Sequence, residues 1–144
     1  MGKFFKKTIL QSSCNFHTLR KKIIKYSDIR VVIAYDCRHG SDTLSRIVAE
    51  ILSANNITVS LFSSLRTTPE LSFAVRHLGA QAGIVLTASH NPPEYNGYKV
   101  YWNDGGQLVP PHDKGIIDEV RAMPLKVKLA SATTEIVPKA LVAD

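Results

Sequence analysis

One short stretch of this chain concentrates groups able to hold a phosphoryl group or move a proton. It is Thr87-Ala88-Ser89-His90-Asn91-Pro92-Pro93, with Lys99 ten residues beyond Ser89 and Arg38 earlier in the chain. A serine that carries phosphate needs exposure, donors for the phosphate oxygens and a way to keep water out during transfer. Ser89 follows a run that reads as a buried strand, so its hydroxyl falls where a cleft can form. His90, Asn91 and Lys99 are nearby donors, and Arg38 can come from an adjacent strand end. Pro92 and Pro93 restrict the loop and lower the entropy cost of holding it in shape. Asn96-Gly97 reads as a turn that folds Lys99 back toward Ser89.

Other chemistries fit less well. Residues Thr87 and Asn91 flank Ser89 at two positions on either side, so no G-x-S-x-G elbow is present. No G-x-x-x-x-G-K-[ST] loop occurs. The histidines at 17, 39, 77, 90 and 112 form no metal-spaced pair, so no protein-only zinc site is expected. By composition alone, a Ser-His-Asn-Pro-Pro loop is more often a turn than a site, and Lys99 more often a solvated strand residue. Arg38, read the same way, pairs with Asp36 or Asp42 at the surface.

The elements that must position these groups are legible. Arg30–Asp36 is a continuous apolar run ending in a charge, a strand buried on both faces. Ser41-Asp42 are candidate caps for a helix carrying Leu44, Ile47, Val48, Ile51 and Leu52 on one face. Asn55-Asn56 ends it. Ile57–Phe62 is a second strand. Thr68 is the expected cap of the next helix, with Pro69 at its first position and Gly79 as its left-handed terminator. Ala82–Leu86 is a third strand running into the Ser89 loop, and Tyr98–Trp102 a fourth. A last helix is expected over Pro111–Met123, stopped by Pro124. The tail from Leu125 either pairs with a sheet edge or leads toward another domain. The order β-α-β-α-β-loop-β-α predicts an α/β fold: a three-layer α/β/α domain with a mostly parallel, four-stranded mixed sheet, its ligands at the carboxyl ends of the strands.

Charge is unevenly placed. The 144 residues carry a net +6, but residues 1–30 hold eight Lys or Arg against Asp28 alone, while residues 31–144 hold ten basic and eleven acidic side chains. The excess belongs to an N-terminal segment, read as a poorly ordered start followed by a basic amphipathic helix over Phe16–Tyr26. With no accompanying aromatic platform, no nucleic-acid partner is expected. No stretch approaches the ~20 apolar residues of a membrane span, so no membrane partner is expected and the location is read as cytoplasmic. Cys14 and Cys37 have neither metal spacing nor the density of a disulfide scaffold. The Asn56-Ile57-Thr58 sequon is read as chance.

The run Gly83–Tyr101, nineteen residues through Ser89-His90-Asn91-Pro92-Pro93 and Asn96-Gly97-Tyr98-Lys99, closely resembles the phosphoserine loop of the α-D-phosphohexomutases, the phosphoglucomutases and phosphomannomutases. The resemblance extends through Thr68–Arg76 and back to Asp36-Cys37-Arg38, covering roughly Arg30 to Met123. It implies that Ser89 is phosphorylated in the resting enzyme and that its phosphate ligates Mg²⁺. It implies that His90 and Lys99 contact the reacting groups, with Lys99 the candidate for proton transfer. Asn91 would shape the loop and Arg38 would lie near the phosphate in the cleft. The reaction implied moves a phosphoryl group between the 1 and 6 positions of a hexose phosphate, with hexose 1,6-bisphosphate as activator.

The family is built from four domains, and this chain looks like the first. The expected organisation is a basic segment and helix over 1–27, phosphohexomutase domain I over 28–124, and a tail over 125–144 leading toward the remaining domains, which would be its partners. An aspartate-rich metal loop has no counterpart here, the first thirty residues do not match, and Thr67 stands where a proline is more usual. Without the other domains the chain is expected to fold but not to turn over sugar phosphate. The spelling of Tyr101–Gln107 and Pro111-His112-Asp113 leans toward the subgroup that includes phosphopentomutase-like members. The rival reading is a non-catalytic module that binds a sugar phosphate or a protein partner.

Overall fold

The structure is a computed structural model that describes residues 29–122 and 134–137. The expected N-terminal helix over Phe16–Tyr26 lies outside them. Strand β1 (Arg30–Tyr35) is followed by helix α1 (Ser41–Ser53), strand β2 (Thr58–Phe62), helix α2 (Thr68–His77), strand β3 (Ala82–Leu86), strand β4 (Tyr98–Trp102), helix α3 (His112–Ala122) and strand β5 (Thr134–Val137). The sheet order is β4-β3-β1-β2-β5. β1 pairs in parallel with β2 and β3, β2 pairs in parallel with β5, and β4 runs antiparallel to β3. The α/β/α class and the mostly parallel mixed sheet are as expected. The strand count is five, because the tail pairs with the β2 edge, one of its two expected courses.

β1 is apolar from Val31 to Tyr35 because both of its faces are covered there. Alternate residues Val31, Ile33 and Tyr35 join Ala49 and Leu52 of α1, with Val59, Leu61, Ile84, Leu86 and Val100 from neighbouring strands, and Ile116 of α3 packs on the same cluster. The intervening Val32 and Ala34 join Leu71, Ala74 and Val75 of α2, with Phe62, Val85 and Tyr101. The period of two thus divides one strand between two cores, each worth about 25 cal/mol for every Å² of apolar surface removed from water.

Two helix starts differ from the sequence reading. Residue Gly40, not Ser41, stands at the cap of α1; Ser41 is the first helical residue and is fully buried. Helix α2 is capped by Thr67 rather than Thr68, so Pro69 sits second. The Glu70 carboxylate accepts from both the main-chain N–H and the hydroxyl of Thr67, at 2.7 and 2.9 Å. A proline in place of Thr67 would have neither donor. Gly79 ends α2 as expected: at φ 59 it occupies the left-handed region, and the N–H of Ala80 returns to the Val75 carbonyl at 2.9 Å.

Parallel pairing of β1 with β3 sends both chains off the sheet at the same end. Asp36-Cys37-Arg38 and Thr87–Asn91 are therefore neighbours, although about fifty residues apart in the chain.

Candidate functional site

Ser89 lies three residues past β3, exposed, in the left-handed backbone region at φ 61. That conformation costs a non-glycine residue on the order of 1 kcal/mol and persists only where the surroundings impose it. Here they do. The Ser89 N–H donates to Thr87 Oγ1 at 3.1 Å, and the Ser89 carbonyl accepts from Arg38 Nη2. The Asn91 N–H returns to the Ala88 carbonyl at 3.2 Å, closing a turn over Ser89. The result is a hydroxyl at the apex of a loop whose main chain is tied down on both sides.

Arg38 is the organiser of that loop. It is 8% exposed, and Nη1 donates to the carbonyls of Asn91 and Pro92 at 2.8 Å each and of Tyr95 at 3.1 Å. Its Nε donates to Asp36 Oδ2 at 3.0 Å, the pairing that the charge reading of the sequence offered. The guanidinium turns inward, under the loop, toward main-chain oxygens. Burial alone would raise the Asp36 carboxyl, but hydrogen bonds from Thr87 and Arg38 and the Arg38 charge outweigh it and hold the group below its usual range. Asp36 is thus an anion set between Arg38 and Thr87.

The far side of the loop is fastened to α1. The His39 N–H donates to the Pro93 carbonyl at 3.1 Å, and Asn96 Nδ2 donates to Ser41 Oγ at 2.8 Å. Asn96 Oδ1 also accepts from the Gly97 N–H at 2.9 Å, an Asx-type turn. The Gly97 carbonyl then accepts from the Thr87 N–H at 3.0 Å. A Cβ on Gly97 would lie 2.6 Å from the Thr87 carbonyl oxygen, so glycine is required where the two ends of the loop touch.

Of the other expected site residues, His90 approaches the Ser89 hydroxyl. Nδ1 of His90 is 3.3 Å from Ser89 Oγ, and the His90 ring is exposed. The Asn91 side chain is exposed while its main chain is used by the loop. Lys99 is half-buried on β4 opposite Val85, one pair inside the end of the β3–β4 ladder. Tyr98, opposite Leu86 at the loop base, has its hydroxyl buried, which pushes it far up and keeps it neutral.

Sequence reasoning gave no role to Thr87 and read Asn96 only as a turn former and Ser41 only as a cap. A signal for Thr87 was present: a hydroxyl residue directly after an all-apolar strand, beside an Asp-x-Arg at the end of the neighbouring strand. Among the described residues no group of three or more His, Cys, Asp or Glu could hold a metal ion, and no helix is long and apolar enough to cross a membrane.

A family model described as phosphoglucomutase/phosphomannomutase, alpha/beta/alpha domain I, matches residues 6–125. The match reaches upstream to residue 6, so the expectation that the first thirty residues fall outside the resemblance is corrected. A phosphoglucomutase of Staphylococcus epidermidis is 48% identical over 107 residues, which are 73% of this chain and 20% of that protein. A protein of Schizosaccharomyces pombe named as a phosphoribomutase is 44% identical over 110 residues, 76% of this chain and 19% of that protein. A crystal structure from Thermus thermophilus, described as a phosphomannomutase, superposes with a TM-score of 0.74 at 29% identity, over 94% of this chain and 27% of that one. The chain spans about a fifth of the length of the curated relatives it matches.

Proposed function

Because the chain belongs to the phosphoglucomutase/phosphomannomutase family, whose domain I it carries, we propose that it supplies the phosphoserine of a phosphohexomutase. The observation that supports this most directly is Ser89 itself, exposed at a loop apex and held in left-handed backbone by its own N–H and carbonyl.

Phospho-Ser89 would donate to a free hydroxyl of a hexose monophosphate. The P–Oγ bond would break, a P–O bond to the sugar would form, and the proton of the sugar hydroxyl would end on the departing Ser89 Oγ, with Lys99 as the acid–base group that relays it. The bisphosphate then returns its other phosphoryl group to Ser89, and a hexose 1,6-bisphosphate would load an unphosphorylated chain. His90, 3.3 Å from Ser89 Oγ, and the exposed Asn91 amide supply hydrogen bonds beside the reacting centre. Mg²⁺, held through the phosphate of Ser89 with further ligands from beyond the described residues, would neutralise charge on the phosphoryl oxygens. The remaining domains of a complete enzyme would be its partners, and a cytoplasmic location accords with such a substrate.

The experiment is to place residues 30–123 in a chimera, in place of the matching stretch of the Staphylococcus epidermidis phosphoglucomutase, incubate it with glucose 1,6-bisphosphate and Mg²⁺, weigh it and map the product. A mass gain of one phosphoryl group on Ser89, absent from Ser89→Ala, is the expected result. Modification at Ser41 or Ser72 instead, or none at all, would overturn the assignment. The Schizosaccharomyces pombe relative favours a second reading of the substrate, a pentose phosphate. Loading rates with ribose 1,5-bisphosphate and glucose 1,6-bisphosphate, compared side by side, decide between them.

A further inference from the structure

Both main-chain polar groups of Ser89 are held by buried side chains, Arg38 and Thr87, that share one cluster with the half-buried Asp36. Thr87 Oγ1 takes the N–H, and Arg38 Nη2 takes the carbonyl. Arg38 and Thr87 meet in turn on Asp36. The three residues come from two strand ends that only the parallel β1–β3 pairing brings together.

The donor count decides what Arg38 can do. A guanidinium has five N–H groups. The Nε hydrogen goes to Asp36, both Nη1 hydrogens serve the carbonyls of Asn91, Pro92 and Tyr95, and one Nη2 hydrogen goes to Ser89. At most one hydrogen is left, on a side chain 6% exposed. That is too little for the two-pronged grip through which arginines hold phosphate. A lysine at this position would bring three donors on a single atom and no fork, and could not reach four carbonyls and a carboxylate together.

We propose that Asp36, Arg38 and Thr87 are positioning residues that hold Ser89 in its left-handed conformation, and that Arg38 does not bind the transferring phosphoryl group. The inference rests on Ser89 being the phosphoryl carrier. The cluster fixes where Oγ sits before substrate arrives, so it acts on the rate of transfer rather than on substrate affinity. Thr87 is the sharper probe. Its hydroxyl can donate to Asp36 while accepting from Ser89, so that the carboxylate and the Ser89 amide are linked through one atom.

The test compares the same chimera with its Thr87→Val, Thr87→Ser and Arg38→Lys variants in two measurements. The first is the rate of phosphoryl transfer from glucose 1,6-bisphosphate to Ser89 as a function of bisphosphate concentration. Thr87→Val and Arg38→Lys are expected to lower the maximal rate by roughly tenfold or more, as for loss of a charge-linked hydrogen bond, with little change in the half-saturating concentration. Thr87→Ser keeps the hydroxyl and should recover most of the rate, a rescue that general loosening of the fold would not produce. The second is amide hydrogen exchange, which needs no phosphoryl transfer. Exchange over residues 87–97 should accelerate in Thr87→Val and Arg38→Lys, but not in Thr87→Ser, while β1 and β3 stay protected. Unchanged loop exchange in Thr87→Val would overturn the proposal. So would an Arg38→Lys variant that raised the half-saturating concentration at an unchanged maximal rate, the signature of a phosphate ligand. If the unaltered chimera takes up no phosphoryl group, the carrier reading fails, and the exchange data still decide whether the cluster holds Ser89.

Discussion

The side-chain amide of Asn96 donates to the hydroxyl of Ser41 at 2.8 Å, across 55 residues of sequence. Ser41 is fully buried at the start of α1, and its Oγ also lies 3.3 Å from Asp36 Oδ1. The turn that returns the chain to β4 is therefore fastened to the first helix through one hydroxyl, in the same group of residues that holds Ser89. Removing it leaves the Asn96 amide with a single longer contact, to the His39 carbonyl at 3.3 Å. Ser41→Ala should cost about 1–3 kcal/mol, seen as a fall of several degrees in the melting temperature. An unchanged melting temperature would show that this bond contributes nothing.

Gly97→Ala should be destabilising for a purely steric reason. The new methyl would press on the Thr87 carbonyl oxygen, a main-chain atom that cannot move without disturbing β3. The expected loss is about 1–3 kcal/mol, as for other overpacked sites. Urea denaturation measures it, and a loss below about 0.5 kcal/mol would mean that the loop ends separate freely.

Acid should weaken the fold through two carboxylates. Burial opposes the charge on Asp36, yet Thr87 and Arg38 hold its carboxyl below the ordinary range. For Glu70 the Thr67 main-chain N–H is the leading cause of the same downward shift. A group lowered on folding contributes stability that is complete above its unfolded range and lost as pH falls through its folded value. The urea midpoint should therefore fall below about pH 5, and Asp36→Asn and Glu70→Gln should each flatten that fall. Parallel pH profiles for the variants and the original would contradict this account.

Lys99 is open to a kinetic check. In a chimera with residues 30–123 in place of the matching stretch of the Staphylococcus epidermidis phosphoglucomutase, Lys99→Met should lower kcat by on the order of 10²–10⁴-fold, as for loss of an acid–base group. Unaltered turnover would leave Lys99 as an ordinary residue of β4.

Several features of the fold were legible because local chemistry dictates them. Continuous apolar runs announced β1 and β3, the spacing of Leu71, Ala74 and Val75 announced α2, and Gly79 its end. The helix starts were less legible. Ser41 and Thr68 have the composition of caps, but Ser41 is drawn into a bond with Asn96, and the reach of Glu70 selects Thr67 over Thr68. β5 was ambiguous for a related reason: pairing with an edge depends on what the edge offers, and a weakly patterned tail does not encode that by itself.

Of the site, the sequence by itself determined the inventory: a serine past a buried strand, its polar neighbours, a proline-stiffened loop and a turn. These follow from residue type and spacing, which act over a few residues. Tertiary structure alone decided that the Arg38 guanidinium faces the loop's carbonyls, that Thr87 joins Asp36 to the Ser89 amide, and that Ser89 adopts φ 61. Each of these bonds joins residues on different strands or bends a residue against its intrinsic preference. Their partners meet only when β1 and β3 lie side by side, and the short range of a hydrogen bond makes that adjacency the deciding fact.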